Sequence, residues 1–398
     1  MSTRCFEIKI QIIAKGGFLM TEITRERNAG IDLFRLLSMF MVVGLHVLGQ
    51  GGILYSVPSL TLKGEIVWFF EIAMYCAVDC FALISGFLGV NSKRKTTRLV
   101  NMTFQIFFYC SIFSIGYIAY SIINNNPLEL RFLVKSFFPT LLGGYWYVSA
   151  YFCLCLFAPL LDKLLDLPRA QLKKAMIAVV VVFCCFSRLQ GRVSGLGNGY
   201  TFLWIAVLYL LGGYMAKYEP FKKWSIKFNL LGYLACVLLT LLSKILIEIV
   251  TVKVLGRPVK TDLLVAYTSP TILLCSIFLF NIFYKVKPCN RIKKVVTFFA
   301  PAAFGVYIIH CQPVVFEKLM KGSLAFFGSY PVYFLIPLAF AIAVGIFIFC
   351  LVIDLLRIKL FKLCRVNKCS EKIANLIDKM ISKLAGEDRE QIKSEEPN

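Results

Sequence analysis

Histidine, acidic residues and charge of any kind are scarce in this sequence. Only two of its 398 residues are histidine, 22 are Asp or Glu, and 17% are charged against 59% hydrophobic. Two histidines are too few to assemble a zinc-type ligand set with the 15 cysteines, so no metal is expected. Those cysteines are scattered through apolar segments (Cys76, Cys80, Cys110, Cys153, Cys155, Cys184, Cys185, Cys236) and read as small packing residues. Also missing is the alternation of polar and apolar faces that a soluble protein gives its surface helices. No continuous apolar stretch precedes Met20, so no cleavable signal is expected. The net charge of +22 is not gathered on an amphipathic face with interleaved aromatics, which sets nucleic acid aside as a partner.

What the chain has instead is a succession of apolar runs of about twenty residues, the length that crosses a bilayer as a helix. Ten can be marked: 30–49, 66–90, 99–123, 140–161, 173–190, 200–217, 228–250, 263–284, 296–316 and 330–356. The expected fold is therefore all-α, a polytopic membrane protein with about ten transmembrane helices. Basic clusters such as Lys93, Arg94, Lys95 and Arg98, or Lys285, Lys287, Arg291, Lys293 and Lys294, fall in alternate loops, and more Lys and Arg follow Arg357. By the positive-inside rule both termini are expected in the cytoplasm, and the expected location is the plasma (inner) membrane. The chain divides into an N-terminal segment 1–29, a transmembrane domain 30–361 and a basic tail 362–398. Within that tail Ile373, Leu376, Ile377, Met380, Ile381 and Leu384 share one helical face, as in a helix lying on an anionic leaflet. Lys15-Gly16-Gly17 shortly before Met20 is what translation of a purine-rich ribosome-binding site would yield, so the natural start is expected at Met20.

Ionisable residues inside spans are costly and face cavities or partners rather than lipid. Here they are Arg35, His46, Glu71, Asp79, Lys244, Glu248, His310 and Asp354. Arg35 and His46 are eleven residues apart, almost three helical turns, so they share one face and differ in depth by about 16 Å. His310 ends the segment FGVYIIH near the outward end of its span, which places both histidines at similar depth. The picture is a passage between helices with a basic inner mouth suited to a phosphate-bearing donor. Deep inside it, a neutral imidazole could abstract a proton or capture an acyl group. The same residues also allow plainer readings, a hydrogen-bonded core imidazole and an arginine snorkelling to headgroups.

From Arg27 to about Phe361 the sequence resembles the integral-membrane acyltransferase family called acyltransferase 3, which modifies cell-envelope glycans and other exported molecules. The likeness is carried by Arg35 and His46, separated by ten residues and preceded by Asp32. It continues in Phe81, Ser85, Gly86 and Phe87, in the basic loop from Lys93 to Arg98, in Tyr145, Trp146 and Tyr147, and in Phe304, Gly305, Tyr307 and His310.

The resemblance implies acetyl-CoA, or another short acyl-CoA, as a cytoplasmic donor and a hydroxyl of a glycan or lipid-linked glycan as acceptor at the outer face. Many relatives carry an extra transmembrane helix and an extracellular hydrolase-like domain; with its short basic tail this chain is expected to be the stand-alone type. His46 is then the general base or acyl-accepting nucleophile, and Arg35 with Lys93, Arg94 and Arg98 would hold the donor. His310 and Tyr307 would orient the acceptor or stabilise the oxyanion, and Trp146 and Tyr147 would stack on a sugar ring. The role of Asp79 is left open: it would line the channel, pair with Arg35, or simply be a buried protonated acid. Ser85-Gly86 is expected to serve helix packing and not nucleophilic attack. The competing functional class is a proton- or solute-coupled transporter, which would also bury His, Asp and Arg in ten spans, although no inverted repeat is evident.

Overall fold

The computed structural model describes residues 8–15, 18–25, 27–90, 96–189, 197–259 and 261–384. Ile8–Lys15 and Phe18–Arg25 pair as an antiparallel two-stranded hairpin ahead of the first helix, a local feature that the sequence reading did not anticipate. The remainder is helical. In order come α1 (Ala29–Leu45), α2 (Ile53–Ser56), α3 (Leu62–Tyr75), α4 (Ala77–Gly89) and α5 (Thr96–Ile123). They are followed by α6 (Leu130–Phe137), α7 (Trp146–Leu164), α8 (Arg169–Leu189), α9 (Phe202–Tyr218) and α10 (Ile226–Leu255). Last are α11 (Pro270–Lys285), α12 (Asn290–Phe299), α13 (Ala303–His310), α14 (Val332–Leu363) and α15 (Val366–Leu384).

Among the described residues, seven helical runs are long and apolar enough to cross a membrane, and α9 and α11 are shorter apolar helices. On α10 the side chains of Leu238, Leu239, Leu242 and Leu246 are exposed, and on α14 those of Ile348, Phe349 and Val352. Such a surface would be costly in water but is matched by lipid. The chain is an all-α polytopic membrane protein.

The middle of the bundle is α1, which packs against α3, α4, α11, α13 and α14. Its start is set by Asn28, whose side-chain oxygen accepts the backbone N–H groups of Gly30 (2.9 Å) and Ile31 (3.2 Å), two of the donors a helix leaves unpaired. Helices α4 and α9 lie against each other at backbone distance. A Cβ on Gly86 would stand 1.9 Å from the Tyr209 carbonyl oxygen, and one on Gly212 would stand 2.2 Å from that of Leu83. The packing role expected of Ser85-Gly86 is what Gly86 performs; Ser85 turns its hydroxyl back to the Phe81 carbonyl (2.9 Å).

Several runs that read as uninterrupted are cut short. The stretch 263–284 becomes helical only at Pro270, because a proline takes the first helical position readily and biases the residue before it away from helix. The stretch 140–161 starts its helix at Trp146, after a turn in which Gly143 takes φ +75°. With 17 and 16 residues, α9 and α11 are about 25 Å long, less than the roughly 30 Å apolar thickness of a bilayer. Tyr200 and Tyr267 lie in the loops just before them. The tail helix α15 packs Ser370 and Ala374 inward, with Ser370 donating to Asn101 (2.6 Å) and Thr96 to Asp378 (2.6 Å). Its apolar residues Leu376, Met380, Ile381 and Leu384 stay exposed.

Candidate active site

Helix α1 ends where His46 begins a π-helical turn, His46–Gln50, in which the Gly51 N–H reaches back to the His46 carbonyl (2.8 Å). Short π-helical turns recur at functional sites because they rotate side chains out of the regular helical frame. A second π-helical turn, Val314–Met320, follows His310, and the two are tied by the Gln50 side chain donating to the Phe316 carbonyl (3.1 Å). Helix α13 stops at His310 because Pro313, three residues on, has no N–H to continue it. Its exposed carbonyls are capped from elsewhere: the buried Tyr145 hydroxyl donates to the Ile308 oxygen (2.5 Å). Gln312 accepts the Val314 N–H (2.6 Å) while donating to Ser136 (2.7 Å).

This scaffold puts the two histidines in contact. Nδ1 of His46 lies 2.9 Å from Nε2 of His310, and Nδ1 of His310 lies 2.5 Å from the Val306 carbonyl oxygen. A carbonyl only accepts, so His310 carries its proton on Nδ1 and its Nε2 is a lone pair. The bond between the rings must then be donated by His46 from Nδ1–H. The proton count leaves Nε2 of His46 as an unprotonated nitrogen without a hydrogen-bond partner among the described residues. His310 is fully buried, while His46 retains accessible surface. The ring of Phe316 stands edge-on to His46 with centroids 4.9 Å apart.

At the opposite end of α1, Asp32 holds Arg35. The Arg35 guanidinium donates to Asp32 Oδ1 at 3.2 Å, and Arg27 donates to Oδ2 of the same carboxylate. Asp32 is buried in the first turn of α1, where the helix dipole favours a negative charge, and Arg35 remains partly accessible. The option that Arg35 pairs with Asp79 is not realised. Asp79 is fully buried and accepts the indole N–H of Trp204 (3.1 Å), and its second oxygen has no partner among the described residues. Asp79 has no accessible surface.

Between Arg35 and His310 runs a row of rings. Tyr151 lies within electrostatic reach of the Arg35 guanidinium. Tyr147, one turn earlier on α7, is stacked with it at 6.4 Å and meets Tyr307 at 6.1 Å, and Tyr307 meets His310 at 6.2 Å. Trp146 branches from Tyr147 (5.7 Å) into a cluster with Tyr200 (4.7 Å) and Tyr267 (6.0 Å). Arg35, Tyr151, Tyr147, Trp146 and His46 all keep accessible surface beside otherwise buried neighbours. The aromatic residues singled out in sequence therefore form one wall, whereas Tyr151, Tyr200 and Tyr267 were missed, since nothing in their local spacing sets them apart from packing residues.

Of the basic loop, Lys93 and Arg94 lie outside the described residues, and Arg98 is exposed in the first turn of α5. Cys311 was read only as one of many packing cysteines. Its Sγ lies 3.6 Å from His46 Nδ1 and 3.4 Å from His310 Nε2. Glu71 is buried beside the His46–Gln50 turn, 3.8 Å from where a Cβ on Gly49 would stand, and its Oε2 has no partner among the described residues; two other buried charged groups lie elsewhere. Lys244 bridges Glu65 and Glu248 at 2.7 Å each, over the ring of Trp68, and Asp354 is held by Gln105, Tyr109 and Arg357.

Neither the curated proteins nor the solved structures contain a match to this chain. The model of a family described as an acyltransferase domain does match, over residues 28–355, a span that includes α1 with both its ionisable side chains, the aromatic wall and His310. That coverage makes the chain a member of the acyltransferase 3 family, and the bundle described above a membrane acyltransferase.

Proposed function

We propose that this acyltransferase moves an acyl group, acetyl in the first instance, from cytoplasmic acyl-CoA to a hydroxyl of an envelope or exported glycan near the outer face. Both termini lie in the cytoplasm and the enzyme works in the plasma membrane. The observation that carries this reading is the His46–His310 hydrogen bond, because it delivers a neutral imidazole with its free lone pair on a known nitrogen.

His46 Nε2 takes the proton of the acceptor hydroxyl as the oxygen attacks the thioester carbonyl. The C–S bond breaks, the acyl group is left on the acceptor oxygen, and the proton goes to the departing CoA sulfur. The imidazolium formed on the way keeps its Nδ1–H bond to His310, whose lone pair faces it and whose own Nδ1–H is anchored on Val306. Arg35, held by Asp32, receives the phosphates or pantetheine arm of the donor, with Lys93, Arg94 and Arg98 gathering the nucleotide end. Tyr147, Trp146 and Tyr307 offer the acceptor sugar aromatic faces.

Proteoliposomes given acyl-labelled acetyl-CoA and an envelope glycan test this. The label is expected on the glycan as an ester, to vanish with His46→Ala, and to require more acetyl-CoA for half-maximal rate with Arg35→Ala. Label that stays on CoA, as a transporter would leave it, or full transfer by both variants, would overturn the reading. Comparing surface glycans before and after deletion of the gene identifies the acceptor.

A further inference from the structure

The nitrogen and sulfur atoms that meet at the end of α13 can do something besides acyl transfer. His46 Nδ1, His310 Nε2 and Cys311 Sγ all lie within 4.8 Å of one another, with separations of 2.9 Å between the nitrogens and 3.6 and 3.4 Å from each to the sulfur. A zinc ion bound tetrahedrally at its usual Zn–N and Zn–S lengths would hold two such nitrogens about 3.3 Å apart and each about 3.6 Å from the sulfur. The three atoms are within a few tenths of an ångström of that arrangement without any helix moving.

We propose that His46, His310 and Cys311 form a three-ligand site for Zn²⁺, and that occupying it switches the enzyme off. An independent observation supports the site: the second ring nitrogen of His310 donates to the Val306 carbonyl (2.5 Å), the partner that metal-ligating histidines characteristically use to fix their tautomer and orientation. Two histidines and a thiolate make a set that suits zinc over the hard cations Mg²⁺ and Ca²⁺, and three protein ligands leave a fourth position for water. The accessible surface of His46 gives the ion its approach, since His310 and Cys311 are buried.

Binding is balanced as follows. Cys311 loses its thiol proton to solvent and becomes the thiolate ligand. His46 gives up the hydrogen bond to His310, moves its proton from Nδ1 to Nε2 and ligates through Nδ1. With Nε2 protonated, His46 has no lone pair left for an acceptor hydroxyl. The inhibitory part rests on the proposed role of His46 as base; the site itself does not.

The test uses the full chain in detergent or nanodiscs, titrated with Co²⁺ as a spectroscopic stand-in and with Zn²⁺ in competition. One equivalent of Co²⁺ with thiolate-to-metal charge-transfer absorption is expected, displaced by Zn²⁺. Cys311→Ser, nearly the same size, should lose that absorption and weaken Zn²⁺ binding by at least about 100-fold. Acyl transfer by the unaltered enzyme should fall as Zn²⁺ fills the site and return with chelator, whereas the ratio of rates with and without Zn²⁺ should stay near one for Cys311→Ser. Absence of thiolate absorption in the unaltered protein, or equal inhibition of both proteins by Zn²⁺, overturns the proposal. If the absorption is present but His46→Ala retains acyl transfer, the zinc site stands and the base assignment and its inhibition fall.

Discussion

Helix α13 carries a polar assembly at each end, and the two are built on opposite principles. Near its start, Gly305 makes room for the buried carboxylate of Asp354, whose Cγ would stand 2.0 Å from a Cβ on that residue. That carboxylate receives Gln105 (3.0 Å), Tyr109 (2.9 Å) and a forked Arg357 (3.0 and 2.7 Å), so both oxygens are satisfied. At its other end His310 takes part in a neutral chain that runs from Val306 through two rings and stops at an unused nitrogen of His46. A saturated charged network ties α5 to α14 where Gly305 of α13 packs on it, and has nothing left to offer a substrate. An unsaturated neutral one is weaker as glue but keeps a lone pair for chemistry.

Breaking each end should give opposite phenotypes. The largest expected effect is on rate: His46→Ala should lower acyl transfer on the order of a thousandfold while leaving yield and thermal midpoint in detergent near normal. Next comes Asp354→Asn, which leaves the Arg357 cation without its counter-charge. A loss of about 3 kcal/mol is expected, read as a lower thermal midpoint by fluorescence-detected size-exclusion chromatography, with activity per folded molecule retained. Gly86→Ala tests the rigidity of the α4–α9 contact. Its methyl meets backbone and not a flexible side chain, so a loss of about 2 kcal/mol is expected in the same assay. The smallest is Tyr145→Phe, which removes the hydroxyl cap on the Ile308 carbonyl. About 1 kcal/mol of stability should be lost, with a modest fall in rate because α13 positions His310. Should Asp354→Asn abolish transfer in folded protein while His46→Ala spares it, the contrast between the two ends would be reversed.

Much of this was legible beforehand, for identifiable reasons. Apolar run length reveals spans because a bilayer demands about twenty residues, and α5, α10 and α14 are found where expected. A similar depth for His46 and His310 was expected because both stand near the outward ends of their expected spans, and the two do lie in contact. Less legible were the places where local backbone chemistry interrupts an apolar run, as at Pro270 and Gly143, since window hydropathy does not register them. The partner of Asp79 stayed open in the sequence because one helix does not reveal which neighbour faces it; Trp204 and not Arg35 stands there. Cys311 was lost among fifteen cysteines of similar apolar setting.

The sequence by itself determined that the chain is a membrane bundle of a recognisable family. It also determined that α1 presents a guanidinium and an imidazole on one side, three turns apart, because helical period and rise are properties of a single segment. Only the tertiary structure decided that the imidazole of His46 meets that of His310 through specific nitrogens with a thiol beside them, and that the tyrosines of α7 bridge the distance back towards Arg35. Those relations depend on the rotation and separation of helices far apart in the chain, which are set by packing at contacts such as Gly86 on Tyr209 and Gly305 on Asp354.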